Sequence, residues 1–350
     1  MGPVSLGVSL PRAWVDHHRL RVGSPVQLRL ATDGTLRLRA RSRASTPDRR
    51  LEVTVAAPLR PEHLFRRLLG GYLAGATEFE IRESGGLSGA TRSVARSFAR
   101  RTIQPEIVSE ERTLLRLQDV TGSSPVPLAR LASRMGQVVL ELHRDAGQSW
   151  LQLKVGEQTE WETRDDDVDR QAWYLERSAV RMLDGEPPGD PSATGIGALG
   201  WWTVARSMER IADHAVRIGE VGQHLGESVV PGRYRTSLEQ FHGQALDYLS
   251  AVLDELREGS AAQANELLDT GEALRSVGRA LAERLFTTVH APAMPASTSI
   301  GLAQILESID RTIAYTQDVA QVILDRPAGD ASGPGPAPSR PSRAPLTRPT

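Results

Sequence analysis

The chain contains no cysteine. That excludes structural disulfides, thiolate zinc sites, iron–sulfur clusters and a cysteine nucleophile. Lysine is almost absent: Lys154 stands alone among 42 basic residues, and all the others are arginine. Because arginine occupies every kind of position, we read this first as codon bias. Aromatic residues are only 5% of the 350 positions, too few for a stacking platform on single-stranded nucleic acid. No apolar run approaches the roughly 18–20 residues that a membrane-spanning helix needs. Met1–Leu10 has no basic stretch ahead of an apolar core, so the expectation is a cytoplasmic protein with no membrane span.

The length suffices for two or three domains of roughly 100–200 residues each. Apolar residues at 39% and charged residues at 24% provide both a core and a hydrated surface. The net charge of −1 conceals an asymmetry. Residues 1–60 hold eleven arginines against Asp16, Asp33, Asp48 and Glu52, a balance of +7. Residues 61–122 are near neutral, and residues 123–325 carry 18 basic against 30 acidic side chains, a balance of −12. A basic module joined to an acidic one points to different partners for each.

Hydrophobic periodicity divides the chain. In residues 1–45, Val4, Leu6, Val8 and Leu10 alternate with small residues as a half-buried strand does. Pro11 then opens a short helix to His18, and Asp33-Gly34 turns a hairpin between Val26–Leu30 and Leu36–Arg41. So small a β-rich module cannot bury its own apolar face, and we expect it to dimerise. Residues 51–120 read as a small α/β unit, with strands at 51–56 and 78–82, helices at 61–73 and 90–101, and a strand pair within 107–117. From residue 125 to 325 the pattern is helical, with helices near 128–146, 159–184, 196–226, 236–258, 261–289 and 298–325. Val204, Met208, Ile211, Ala215, Ile218, Gly222 and Leu225 form a seam at alternating spacings of four and three. Arg206–Val221 aligns loosely with Glu307–Val322, which suggests two related halves, about 125–228 and 235–325. Residues 326–350, with seven prolines, read as a disordered tail.

Two carboxylate pairs stand out in the helices. Asp165 and Asp169, within the run Asp165-Asp166-Asp167-Val168-Asp169, lie at i and i+4; so do Glu209 and Asp213. Like charges so spaced repel, and a hard, oxygen-preferring cation would relieve the repulsion. The simpler reading is a hydrated helix face, since Glu209 and Asp213 point away from the Val204–Leu225 seam. A di-iron oxidase would want Glu-x-x-His on two helices, and His214 directly follows Asp213 instead. Gly195-x-Gly197-x-x-Gly200 matches the dinucleotide fingerprint in letters but follows a Pro/Gly loop where a strand is required. Arg29, Arg37, Arg39 and Arg41 alternate along the hairpin, where phosphate contacts to DNA and an ordinary charged outer face are equally good accounts.

Two stretches carry a family resemblance. Val8–Val15 (VSLPRAWV), Leu20–Ser24 (LRVGS) and Asp33–Leu36 (DGTL) resemble the SpoVT/AbrB swapped-hairpin domain. Asp165–Asp169 together with Arg206–Ala215 (RSMERIADHA) resemble PhoU, the phosphate-uptake regulator. The combination resembles the PhoU-type regulators frequent in archaea. It implies a multidomain fold: an AbrB-like module, a small α/β unit, and an all-α PhoU-like pair of three-helix bundles. It implies a metal cluster on Asp165, Asp169, Glu209 and Asp213, with an all-carboxylate set suited to Fe, Mg, Mn or Ca. The second half departs from the motif: Ala273 follows Asp269 and Ala314 follows Asp310 at the positions of the second carboxylates. One metal site at most is therefore expected.

The function implied is non-enzymatic negative regulation of phosphate uptake and phosphate homeostasis. It would act through metal-dependent contact of a homodimer with a phosphate ABC transporter subunit or a phosphate-signalling protein. The alternative is a DNA-binding transcriptional regulator that uses the AbrB-like module, with the helices as sensor. A metal-dependent enzyme is disfavoured, because no nucleophile, base or cofactor motif accompanies the carboxylates.

Overall fold

A computed structural model describes residues 7–30, 36–40, 49–55, 60–120, 126–151, 158–184, 196–225, 232–287 and 295–326. It is mostly helical, with a small mixed sheet ahead of the helices. Pro11 caps helix α1, Arg12–His17, and strands β1 (Val26–Leu30) and β2 (Leu36–Ala40) follow. Among the described residues they pair antiparallel with each other and with no further strand. The expected strand over Val4–Leu10 is not found in its described part: residues 7–10 are irregular. Val4 and Leu6, the Asp33-Gly34 turn and the proline-rich tail lie outside the described residues. Leu28 and Leu36, on the apolar face of the hairpin, are exposed.

The α/β unit runs β3 (Arg50–Val55), α2 (Pro61–Leu73), β4 (Glu78–Glu83), α3 (Gly89–Arg101), β5 (Pro105–Glu110) and β6 (Leu114–Asp119). Its sheet order is β3-β4-β6-β5: β3 and β4 are parallel across α2, and the other pairs are antiparallel. Alternation sends Phe79, Ile81, Leu115 and Leu117 into one core with Leu64, Leu68 and Tyr72 of α2 and Val94 and Phe98 of α3. On the opposite face Glu80, itself buried, pairs with Arg50, Arg82 and Arg116. Ser88 caps α3 by accepting a hydrogen bond from the Thr91 N–H at 3.2 Å.

Six long helices follow: α4 (Leu128–Leu151), α5 (Gln158–Leu183), α6 (Ala198–Leu225), α7 (Gly232–Glu258), α8 (Ala261–Thr287) and α9 (Ala296–Leu324). The first three pack on one another, as do the last three, and α6 against α9 and α4 against α7 join the two sets. A single apolar core runs through all six. Each residue of the expected α6 seam is buried. Helix α4 continues five residues past its expected end, through Gly147. A side chain there would meet the His242 ring at 2.9 Å, so this glycine permits close packing inside a helix instead of ending it.

The α/β unit docks on α5 through a buried arginine. Arg177 donates to the carbonyls of Tyr72 and Ala76 at 2.6 and 2.7 Å, lies 4.6 Å from the Tyr72 ring centroid, and is 3.8 Å from Asp119. Helix α2 has no basic residue in its own last turn. Arg177 supplies the positive charge that the carbonyl end of a helix favours. Trp173 packs into the unit's core beside Phe65, and Arg49 reaches Asp184 at 2.5 Å.

Candidate functional site

Helices α5 and α6 run side by side in opposite directions. Trp161 of α5 lies against Gly219 of α6, where an added Cβ would meet the indole at 2.5 Å. Four turns further along α5, Glu176 faces Arg206 at 3.5 Å. Between these two markers lie the predicted carboxylates. Asp165 and Asp169 flank the buried Val168 and are half-buried themselves, while Asp166 and Asp167 are exposed. From α6, Glu209 is mostly covered and Asp213 more open.

The structure brings all four into one electrostatic field. Burial pushes the Asp165 carboxyl up to about 6, reinforced by repulsion from Asp213, Asp166 and Glu209 and opposed by Arg101. Burial likewise pushes Asp169 up to about 7, reinforced by Asp165 and Glu209 and again opposed by Arg101. Glu209 and Asp213 are raised by burial, against the pull of Arg206 and Arg210. Glu176, which sequence reasoning missed, extends the row and is raised for the same reason.

Arginines supply the counter-charge. Arg101, from the end of α3, lies 2.5 Å from Asp166 and 3.4 Å from Asp169. Arg206 and Arg210 stand 3.7 and 3.5 Å from Glu209, and Arg210 is 3.7 Å from Asp213. By donor type the carboxylates fit a hard cation, and a buried oxygen of Glu209 lacks a hydrogen bond. By position they stop short of enclosing one. Among the described residues no three Asp, Glu or His side chains gather closely enough to hold an ion.

The second half is arranged differently. Asp310 of α9 takes a two-pronged ion pair from Arg275 of α8, at 3.2 and 3.3 Å. Asp269 is exposed and Ala314 half-buried. On the hairpin, Arg29 pairs in register with Arg37, and Gln27 with Arg39. Arg41 lies outside the described residues. Sequence reasoning also missed a buried pair of imidazoles. His143 of α4 and His242 of α7 are 3.2 Å apart, and His143 Nε2 lies 3.0 Å from the Ile211 carbonyl of α6.

Six long helices pack as two sets of three, and the pair α5 and α6 carries an acidic face. Residues 132–221, which span α6 nearly to its end, match the family model described as the PhoU domain. The fold is similar to the crystal structure of PhoU from Pseudomonas aeruginosa, with a TM-score of 0.51 and 17% identity, covering 56% of this chain and 93% of that one. It is also similar to the phosphate transport system regulatory protein PhoU from Streptococcus pneumoniae, with a TM-score of 0.50 and 16% identity, covering 56% and 91%. At such identities the likeness is one of fold. No curated protein matches the sequence. Among the described residues no helix is long and apolar enough to cross a membrane.

Proposed function

We propose that this protein is a negative regulator of phosphate uptake. It would act by contact with a phosphate ABC transporter subunit or its signalling partner, and by binding without catalysis. The observation that carries this reading is the PhoU-domain match over residues 132–221, which contains all four predicted carboxylates. One of the two similar crystal structures is of a protein described as a phosphate transport system regulatory protein.

The docking face in this reading is the acidic surface of α5 and α6. A hard cation, when bound there, would supply positive charge that the carboxylates otherwise draw from Arg101, Arg206 and Arg210. Asp165, Asp169, Glu209 and Asp213 would hold it. Burial raises the pKa values of all four, and repulsion from neighbouring carboxylates adds to this at Asp165, Asp169 and Glu209. The hairpin's exposed Leu28 and Leu36 give the basic module an apolar face suited to pairing with a second copy.

Co-purification with the transporter's ATPase subunit tests the proposal. The full-length protein is expected to retain that subunit at high phosphate, and the double variant Asp169→Asn/Asp213→Asn to lose it. No association at either high or low phosphate would count against the reading.

A further inference from the structure

We propose that the proline- and arginine-rich segment 338–346 of this chain docks in cis on a groove between α6 and α9. The inference goes beyond the regulatory reading above and does not depend on it.

Two hollows meet at Thr203 of α6. One, of 490 Å³, is lined by Leu183 of α5, Leu199 of α6, and Val322, Asp325 and Arg326 at the end of α9. The other, of 260 Å³, is lined by Trp202, Arg206 and Arg210 of α6 and by Tyr315 and Asp318 of α9. Leu183 is 64%, Leu199 72% and Trp202 38% exposed, so the rim is apolar and open to water. Neighbouring exposed apolar side chains of this kind mark an interaction surface. Arg206 and Arg210 are already drawn to Glu176, Glu209 and Asp213. Asp318 and Asp325 have no ion pair among the described residues, and Asp325 accepts only from Gln321, at 2.8 Å. Seven residues apart, they return to one face of α9 about 10.5 Å from each other along its axis.

The occupant follows from where the chain leaves. Arg326, the last described residue, donates to the Leu256 carbonyl and lines the larger hollow, so residue 327 departs from the groove itself. Residues 327–350 carry Arg340, Arg343 and Arg348 against Asp330, a charge opposite to that of the helical region. Segment 338–346 reads PSRPSRAPL. At three residues per turn of a polyproline helix, Pro338, Pro341 and Ala344 share one edge, and Arg340 and Arg343 share another about 9 Å apart. That separation is close to the spacing of the two aspartates. Aromatic-lined grooves receive such segments, and Trp202 and Tyr315 supply the rings. Gly329, Gly333 and Gly335 let the connecting chain reverse direction. Its eleven residues, 327–337, extend to about 34 Å. That is ample to bring Arg340 opposite Asp325 and Arg343 opposite Asp318. A seated segment covers the apolar rim and pairs both aspartates.

Because the chain has no cysteine, Ser342→Cys in the full-length protein can carry a single bimane label, which tryptophan quenches on contact. The label is expected to be quenched, and to lose that quenching in Trp202→Phe. Asp318→Asn/Asp325→Asn and Arg340→Gln/Arg343→Gln should lose it as well, and raised salt should weaken it. The aspartate pair is exposed, so that variant keeps the test decisive should Trp202→Phe fail to fold. Equal emission with and without Trp202, or quenching that survives both charge variants, would overturn the proposal. Quenching that fades on dilution would assign the groove to another copy's segment and overturn docking in cis.

Discussion

His143 and His242 show how a buried polar pair can be fully specified. The Ile211 carbonyl can only accept, so His143 Nε2 carries the proton, Nδ1 is the acceptor, and His242 Nε2–H donates to it. Thr312 Oγ1, 3.4 Å from His143 Nε2, itself donates to the Ser308 carbonyl. Protonating His143 would place a second N–H against that of His242, in a site with little solvent. Burial holds His242 down at about 4 and His143 well below the ordinary value, to which His242 adds by repulsion. Since folding depresses both values, the stability they confer is present above about pH 6.5 and is lost as pH falls through the folded values. His242→Gln keeps an N–H donor toward His143. Denaturant unfolding of this variant is expected to lose about 2 kcal/mol less than the wild type between pH 7 and pH 5. Equal losses would mean that the pair does not control acid sensitivity. The histidines were not singled out from the sequence, because each sits on an apolar helix face that also reads as ordinary core. The four carboxylates were readable, because i, i+4 spacing fixes a shared face wherever a helix forms. Arg101 was not, because the chain between it and Asp169 folds back in a way that no local pattern records.

At the scale of elements, long periodic segments made the helices visible, and their interiors agree with expectation. The errors sit at ends and at isolated short pieces. Helix α4 was expected to end near residue 146 and runs on through Gly147, a packing site, while the strand expected over Val4–Leu10 is irregular over its described residues 7–10. Close approach of α5 and α6 depends on Gly219, whose missing side chain leaves room for the Trp161 ring. A methyl group there would press on a buried indole and spread the helices that carry the acidic face. Gly219→Ala is expected to lower stability by about 1–3 kcal/mol, the usual cost of overfilling a packed core. Thermal unfolding beside the wild type measures it. An unchanged or raised melting temperature would show that the interface yields without strain.

For the whole molecule, the charge asymmetry suggested distinct modules but carried no sign of how they would meet. The join is made by Arg177, which is 1% exposed and serves the end of a helix from another unit. Nothing in its neighbourhood on α5 distinguishes it from the other arginines of the chain. Arg177→Leu would leave two carbonyls without their charged donor, at a cost of about 3 kcal/mol. Limited proteolysis should then cut between the α/β unit and α4 faster than in the wild type, with the helical region surviving as a fragment. Cleavage at the wild-type rate would place the join elsewhere. The central claim is that the acidic face of α5 and α6 restrains phosphate entry. The measurement that tests it most directly is the initial rate of labelled phosphate uptake, in phosphate-replete cells lacking the protein and supplied with either wild type or Asp169→Asn/Asp213→Asn. The account predicts that the wild type lowers uptake and that the variant, present at equal amount, leaves it high. Equal restraint by both proteins, or no restraint by either, would contradict it.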